Sequence, residues 1–264
     1  MDPVVWIITT IQNVSDSVIV QSFLAACIGF ILTVAGSLPA FLGVKFGGGI
    51  LPYGMGFASG IMITASFTSL LLPAVEVGGI IPAPVGFLIG ALSVYIMDRF
   101  LPHEHLVKGY EGSEKLRTKL RAAWLMAIAI VIHNVPEGAA VGAAVVESLK
   151  DGVVLAVAIG IQNIPEGLAV ALPLISVGKN VKHALWLVVL SGVVEPIAAT
   201  ATAALAIISR AILPYILSFA AGAMIYVVSH EIIPETHSER REVKATAALL
   251  TGLILMLILD VYYD

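Results

Sequence analysis

Two copies of a short polar motif interrupt otherwise apolar sequence: His-Asn-Val-Pro-Glu-Gly at 133–138 and Gln-Asn-Ile-Pro-Glu-Gly at 162–167. Residues three and four apart on a helix share a face, so His133, Asn134 and Glu137 project together, as do Gln162, Asn163 and Glu166. A third carboxylate, Glu195, lies in a further apolar stretch and is followed by Pro196. A carboxylate at the centre of a membrane helix costs roughly 2.5–3.5 kcal/mol even on lenient insertion scales. No Lys or Arg occurs in the apolar windows around these three residues. The balancing positive charge must therefore come from protons or from a bound cation. One imidazole, three carboxylates and three amides, without a thiolate, suit borderline divalent metals such as Zn²⁺, Fe²⁺, Mn²⁺, Co²⁺ or Cd²⁺ and argue against Cu(I). Mg²⁺ and Ca²⁺ favour all-oxygen sites and make little use of histidine. The competing structural reading is that protonated carboxylates bond to the amides and glue helices together. Three carboxylates in repeated geometry beside one imidazole favour the cation.

The elements that must carry these groups are membrane helices. Of 264 residues, 59% are apolar and 12% charged, against about 25% charged in soluble domains, and the mean hydropathy is +1.00. Apolar runs near the roughly 20 residues that cross a bilayer are predicted at 18–42, 50–76, 83–101, 122–147, 152–175, 183–208, 212–235 and 245–262. The fold class is all-α: a polytopic membrane protein of eight transmembrane helices forming a single domain over 1–264. Residues 1–17 make a poor signal peptide, with Asp2 where positive charge belongs, and read as an exposed or interfacial segment. Cys27 is the only cysteine, so no disulfide framework is expected. The prolines one residue before Glu137 and Glu166 deprive the Ile132 and Ile161 carbonyls of their usual helical donors. Such backbone defects are tolerated at membrane depth beside protein or a wet cavity.

The fourteen Lys and Arg residues set an orientation. With the N-terminus outside, the inner loops hold Lys45; Arg99, Lys108, Lys115, Arg117, Lys119 and Arg121; Lys179 and Lys182; and Arg240, Arg241 and Lys244. Only Lys150 and Arg210 remain outside. The positive-inside rule then puts both termini outside and the 102–121 loop in the cytoplasm. The expected location is the cell membrane, multi-pass, with the lipid bilayer as partner and no nucleic acid.

The two polar motifs recur 29 residues apart, aligning Asn134 with Asn163 and Glu137 with Glu166. A second echo matches Phe-Ala-Ser-Gly-Ile-Met-Ile at 57–63 with Phe-Ala-Ala-Gly-Ala-Met-Ile at 219–225, with Pro73 and Pro234 following. Both pairs fall on helices expected to be antiparallel. They point to a 3+2+3 arrangement, in which the first three spans are repeated in inverted topology by the last three around a central pair. Inverted repeats with a midplane site recur among transporters.

With these motifs the chain resembles the ZIP (Zrt/Irt-like) family of divalent metal transporters, over all eight predicted helices. The Pro-Glu-Gly motifs on the fourth and fifth spans are that family's signature. Gln162 opening the second motif looks like the prokaryotic GufA-like branch; many relatives carry His there, so this chain has one imidazole fewer. Asn163 stands where some relatives are acidic. The resemblance implies a two-metal centre. His133, Glu137, Gln162 and Glu166 would hold one metal. Asn134, Glu137, Asn163, Glu166 and Glu195 would hold the second, with Glu137 and Glu166 bridging. It further implies transport of metal into the cytoplasm, with Zn²⁺ first and Cd²⁺, Fe²⁺ and Mn²⁺ as further substrates. A homodimer is implied too, with elevator-like movement of the first, fourth, fifth and sixth spans against the rest.

A second cluster gathers at the predicted cytoplasmic face. The seventh span ends in Ser-His-Glu-Ile-Ile-Pro-Glu-Thr-His, with His230 and Glu231, while Asp98 closes the third span and His103 and His105 follow it. ZIP relatives place an exit or sensing metal site in this region. A His-x-His in a loop is also what a solvated rim looks like, and Glu235 and His237 beyond Pro234 fit that reading. Asp260, near the outer end of the eighth span, marks an entrance or simply the water interface. Met55, Met62 and Met224 read as packing.

An intramembrane metalloenzyme is the first rival class. The His-Glu pair at 230–231 lacks the second His of His-Glu-x-x-His, because position 234 is Pro. No Gly-x-Ser-x-Gly elbow occurs, and the protein is not expected to be an enzyme. A metal sensor or a channel, proton-conducting or metal-selective, is the third class. Internal inversion favours alternating access over an enzyme, while a channel remains the harder rival.

Overall fold

The computed structural model describes residues 2–42, 50–100, 103–105, 109–111, 122–176, 181–237 and 242–263. Without water to satisfy the backbone, a spanning chain closes its hydrogen bonds inside each helix, and the long apolar runs do so. Helix α1 (Pro3–Val14) precedes α2 (Val18–Phe41), α3 (Ile50–Gly78) and α4 (Pro82–Phe100). Strands β1 (His103–His105) and β2 (Gly109–Glu111) form a small antiparallel pair. Then come α5 (Ala122–Glu147) and α6 (Leu149–Ser176). Helix α7 runs over Val181–Gly192 and resumes as Val194–Ile208. Helix α8 follows a short 3₁₀ turn and occupies Leu213–Val227, a π turn Val228–Ile232, and Ile233–Thr236. Helix α9 is Glu242–Tyr263. Among the described residues, seven helical segments are long and apolar enough to cross a membrane. The 26-residue α5 is the remaining long helix. The protein is a multi-pass helical membrane protein.

The helix bounds coincide with the predicted apolar runs to within a few residues, with three differences that have local causes. Residues 3–14 form a helix where only an interfacial segment was expected. Asp2 caps it, accepting from the Val4 and Val5 amides at 2.8 and 3.3 Å, and Pro3 fills the first helical position, where a missing N–H costs nothing. The turn predicted between 147 and 152 is one residue: Ser148 N donates to the Ala144 carbonyl, and Ser148 Oγ accepts from Asp151 N at 3.3 Å. Part of the predicted 102–121 loop is the β1–β2 pair, and its other residues lie outside the described ones. Helices α5 and α6 continue through Pro136 and Pro165.

The second sequence echo has a spacing of 162 residues, and the packing obeys it well beyond the echo itself. A Cβ at Gly60 on α3 would strike the Leu249 carbonyl of α9, and one at Gly222 on α8 would strike the Phe87 carbonyl of α4. A Cβ at Gly252 would meet the Phe57 carbonyl, and one at Gly90 the Phe219 carbonyl. Each contact maps onto its counterpart by adding or subtracting 162. The π turns also correspond, beginning at Ser66 and at Val228. Buried positions Ser22, Ala25, Ala26, Gly29, Thr33, Ser37 and Ala40 of α2 map onto buried Ala184, Leu187, Val188, Ser191, Glu195, Ala199 and Thr202 of α7. Glycine at such points lets backbones approach, as membrane helix packing favours. The end of α3 at Gly78 packs on Pro214 at the start of α8, so these two matching helices run in opposite directions.

Candidate metal centre

Four helices build the centre. Glycines bring them to backbone contact: Gly138 and Gly142 of α5 lie against the Glu195 and Ala199 carbonyls of α7, and Gly167 of α6 lies against the Thr33 carbonyl of α2. The glycine after each motif glutamate is thus fixed by a neighbouring backbone. Helix α7 breaks at Val193 because Pro196 offers no N–H to the Gly192 carbonyl. The break puts Glu195 in the first turn of the resumed helix, where the helix dipole favours negative charge.

All three carboxylates are buried: Glu137 is 0%, Glu195 1% and Glu166 9% exposed. Gln162 Nε2 donates to Glu137 Oε1 at 2.7 Å, joining α6 to α5. Asn163 Nδ2 donates to Glu195 Oε1 at 2.8 Å, joining α6 to α7. Asn134 Nδ2 donates to the Ser191 carbonyl at 3.0 Å, joining α5 to α7. With their N–H groups so used, Gln162 Oε1 and Asn163 Oδ1 have no hydrogen-bond partner, and neither has Glu137 Oε2. Buried polar atoms are nearly always paired. Three orphaned oxygens in one region, all acceptors, ask for a donor or a cation. The donor set fits a divalent metal bound by oxygen, with nitrogen nearby.

The geometry does not gather every predicted ligand. His133 Nε2 is 2.7 Å from Glu231 Oε2, so the imidazole ties the motif on α5 to the π turn of α8. His133 and Glu231, placed by sequence in two separate clusters, are direct partners. Glu195 is drawn towards α2, with Thr33 Oγ1 3.4 Å from its Oε1. Among the described residues, no three His, Cys, Asp or Glu side chains converge as a ready metal cage. What converges is a mixed set in which the amides take part.

The predicted exit cluster is partly assembled. His230 Nε2 is 3.3 Å from Asp98 Oδ2, and the His230 side chain is 43% exposed while Asp98 is buried. The Tyr226 ring stacks 5.1 Å from that of His230. His103 and His105 lie on β1, and their side chains fall outside the described residues. His237 Nε2 is 3.0 Å from Thr246 Oγ1 on α9, which makes it a link between helices and not a free rim group. Asp260 accepts from Thr68 and from Ser69 at 3.1 Å. With Glu76, Glu147 and Asp151 it lines a cavity of about 510 Å³ at the opposite end of the bundle from Asp98. Met62 and Met224 are fully buried core residues. Sequence reasoning missed Gly29, Thr33 and Ser191 at the centre, because none of the three is ionisable and each is placed there only by helix packing.

Comparison with known proteins identifies the family. The family described as ZIP Zinc transporter matches residues 103–260. The chain is 39% identical over 202 residues to "Zinc transporter GufA" of Myxococcus xanthus, covering 73% of this chain and 79% of that protein. It is 37% identical over 248 residues to "Zinc transporter ZIPB" of Bordetella bronchiseptica, covering 90% and 79%. "Zinc transporter ZIP11" of Homo sapiens is 33% identical over 337 aligned positions, covering 93% and 98%. The chain belongs to the ZIP zinc transporter family.

Proposed function

We propose that this protein carries divalent transition-metal ions, zinc foremost, across the cell membrane into the cytoplasm through a binuclear site at the membrane midplane. Cd²⁺, Fe²⁺ and Mn²⁺ share the same ligand preferences and are further substrates. His133, Glu137, Gln162 and Glu166 hold one metal, and Asn134, Glu137, Asn163, Glu166 and Glu195 the second. The observation that carries this reading is the set of orphaned buried oxygens on Glu137, Gln162 and Asn163 beside carboxylates whose surrounding apolar windows, 122–147, 152–175 and 183–208, hold no Lys or Arg. The relatives named as zinc transporters support the choice of metal.

The proposed architecture is eight spans over one domain, 1–264, in a 3+2+3 order of inverted repeats, with both termini outside and the active unit a homodimer. The 162-residue correspondence and the opposed directions of α3 and α8 support the inversion. The distribution of Lys and Arg supports the orientation. The cluster of Asp98, His103, His105, His230 and Glu231 serves as the exit. The protein acts as a carrier and not as an enzyme. The test is uptake of a panel of divalent metals into liposomes containing the purified protein. Zinc flux that saturates at low concentration is expected; ohmic conductance would make the protein a channel, and no flux of any divalent metal would remove the reading.

A further inference from the structure

Position 33 in the first half of the chain corresponds to position 195 in the second, by the 162-residue spacing that the packing follows throughout. One is threonine and the other glutamate, and the two side chains meet: Thr33 Oγ1 lies 3.4 Å from Glu195 Oε1. The Thr33 hydroxyl also reaches the Gly29 carbonyl at 2.9 Å, so its single proton serves one of these acceptors at a time. The same pairing extends one turn back. Gly29 corresponds to Ser191, and a Cβ at Gly29 would fall on Glu195 Oε2. The large side chain in one half therefore rests in a notch left by the missing side chain in the other. Across from it, the short Thr33 is the counterpart that leaves room. Helix α2 carries no acid, base or histidine, yet it closes around the carboxylate.

We infer that Gly29 and Thr33 are positioning residues of the metal site, a cradle on α2 that sets the orientation of Glu195 together with Asn163. This rests on the reading of Glu195 as a metal ligand. Asn163 Nδ2 and Thr33 Oγ1 converge on Oε1, and the Gly29 notch receives Oε2. Both carboxylate oxygens are thus placed by groups from helices other than α7, and loss of the cradle frees the carboxylate to rotate.

The test is a double-mutant cycle on zinc binding to the purified full-length protein by titration calorimetry, with liposome uptake measured alongside. Thr33→Val keeps the shape and removes the hydroxyl. It is expected to raise the zinc dissociation constant of the weakened site about threefold, less than a full hydrogen bond to a charged group would give, because the hydroxyl lies 3.4 Å from Oε1 and also serves the Gly29 carbonyl. Thr33→Ser should restore binding. In a Glu195→Gln background Thr33→Val should add nothing, because residues acting through one partner are not additive. Gly29→Ala should weaken binding and recover part of it when combined with Glu195→Asp, whose shorter side chain clears the methyl. If Thr33→Val costs as much with Gln at 195 as with Glu, the threonine acts through packing and the inference is overturned. The same holds if Thr33→Val leaves zinc binding intact while Glu195→Gln weakens it. If Glu195→Gln itself changes nothing, the ligand role of Glu195 falls and the cradle falls with it.

Discussion

Thr33, Thr68 and Ser69 in α2 and α3 stand 162 residues before Glu195, His230 and Glu231 in α7 and α8, whereas Gly60, Phe87 and Gly90 stand before Gly222, Leu249 and Gly252. The glycines of the second group are held in common because each lies against a backbone carbonyl of the partner helix; Phe87 and Leu249 supply two of these carbonyls whatever their side chains. The first group faces the metal centre and the two ends of the bundle, where side chains are free to differ. Asp98 and Asp260 also correspond. One pairs with the imidazole of His230 and the other with the hydroxyls of Thr68 and Ser69. A symmetric scaffold thus carries asymmetric chemistry, with hydroxyl–carboxylate contacts at one end and imidazole–carboxylate contacts at the other. In the proposed orientation the imidazole end faces the cytoplasm. Under the proposed inward transport, metal would meet nitrogen and oxygen ligands at the exit and oxygen ligands alone at the entrance.

The largest expected effects test the shared scaffold. Gly60→Val and Gly222→Val each force branched side chains into a backbone contact, and overpacking of this kind costs about 1–3 kcal/mol or more. Both should lower the melting temperature in detergent by similar amounts; tolerance of one and collapse of the other would break the equivalence of the two halves. Next come the ends. His230→Ala should slow zinc uptake several-fold by removing the imidazole from the Asp98 pair, while Thr68→Val at the matching position should slow it less. An equal effect of the two, measured as initial uptake rates at equal protein content, would deny that the ends differ in chemistry.

The smallest effect concerns α1, which the second half does not repeat. Asp2 accepts from the Tyr263 hydroxyl at 2.7 and 2.9 Å, and this bond, more than any other cause, holds its carboxyl below the ordinary value of 3.8. A depressed folded-state pKa gives stability that is present above the ordinary value and is lost as pH falls through the depressed one. Asp2→Asn should therefore lower the melting temperature slightly at neutral pH, and its difference from wild type should shrink as pH falls below 3.8 and vanish only below the depressed value. A gap that persists in acid would mean that the clasp does not depend on the carboxylate.

The spans and both polar motifs were legible in the sequence, because apolar runs of bilayer length and glutamates without counter-charges leave few other readings. The correspondence of α3 with α8 was visible in matching small residues. That of α2 with α7 was hidden, since Thr33 and Glu195 share no chemistry and only their burial spacing agrees. Helix α1 was signalled by Asp2 followed by Pro3, a helix start overlooked beside the question of a signal peptide. The pairing of His133 with Glu231 could not come from spacing, since 98 residues separate them and only packing of α5 on α8 joins them. The roles of Asn163 and Gln162 as carboxylate partners likewise depend on which amide atom faces which helix.

The central claim, that the buried carboxylates of α5 and α6 carry the metal, is tested most directly by zinc uptake into liposomes containing wild type, Glu137→Gln, Glu166→Gln or the double variant. Each substitution keeps the side chain's size and removes a charge that is costly in the membrane, so folded, monodisperse protein is expected from all of them. Saturable uptake by wild type and none by any variant is the expected result; wild-type uptake by the double variant would contradict the account.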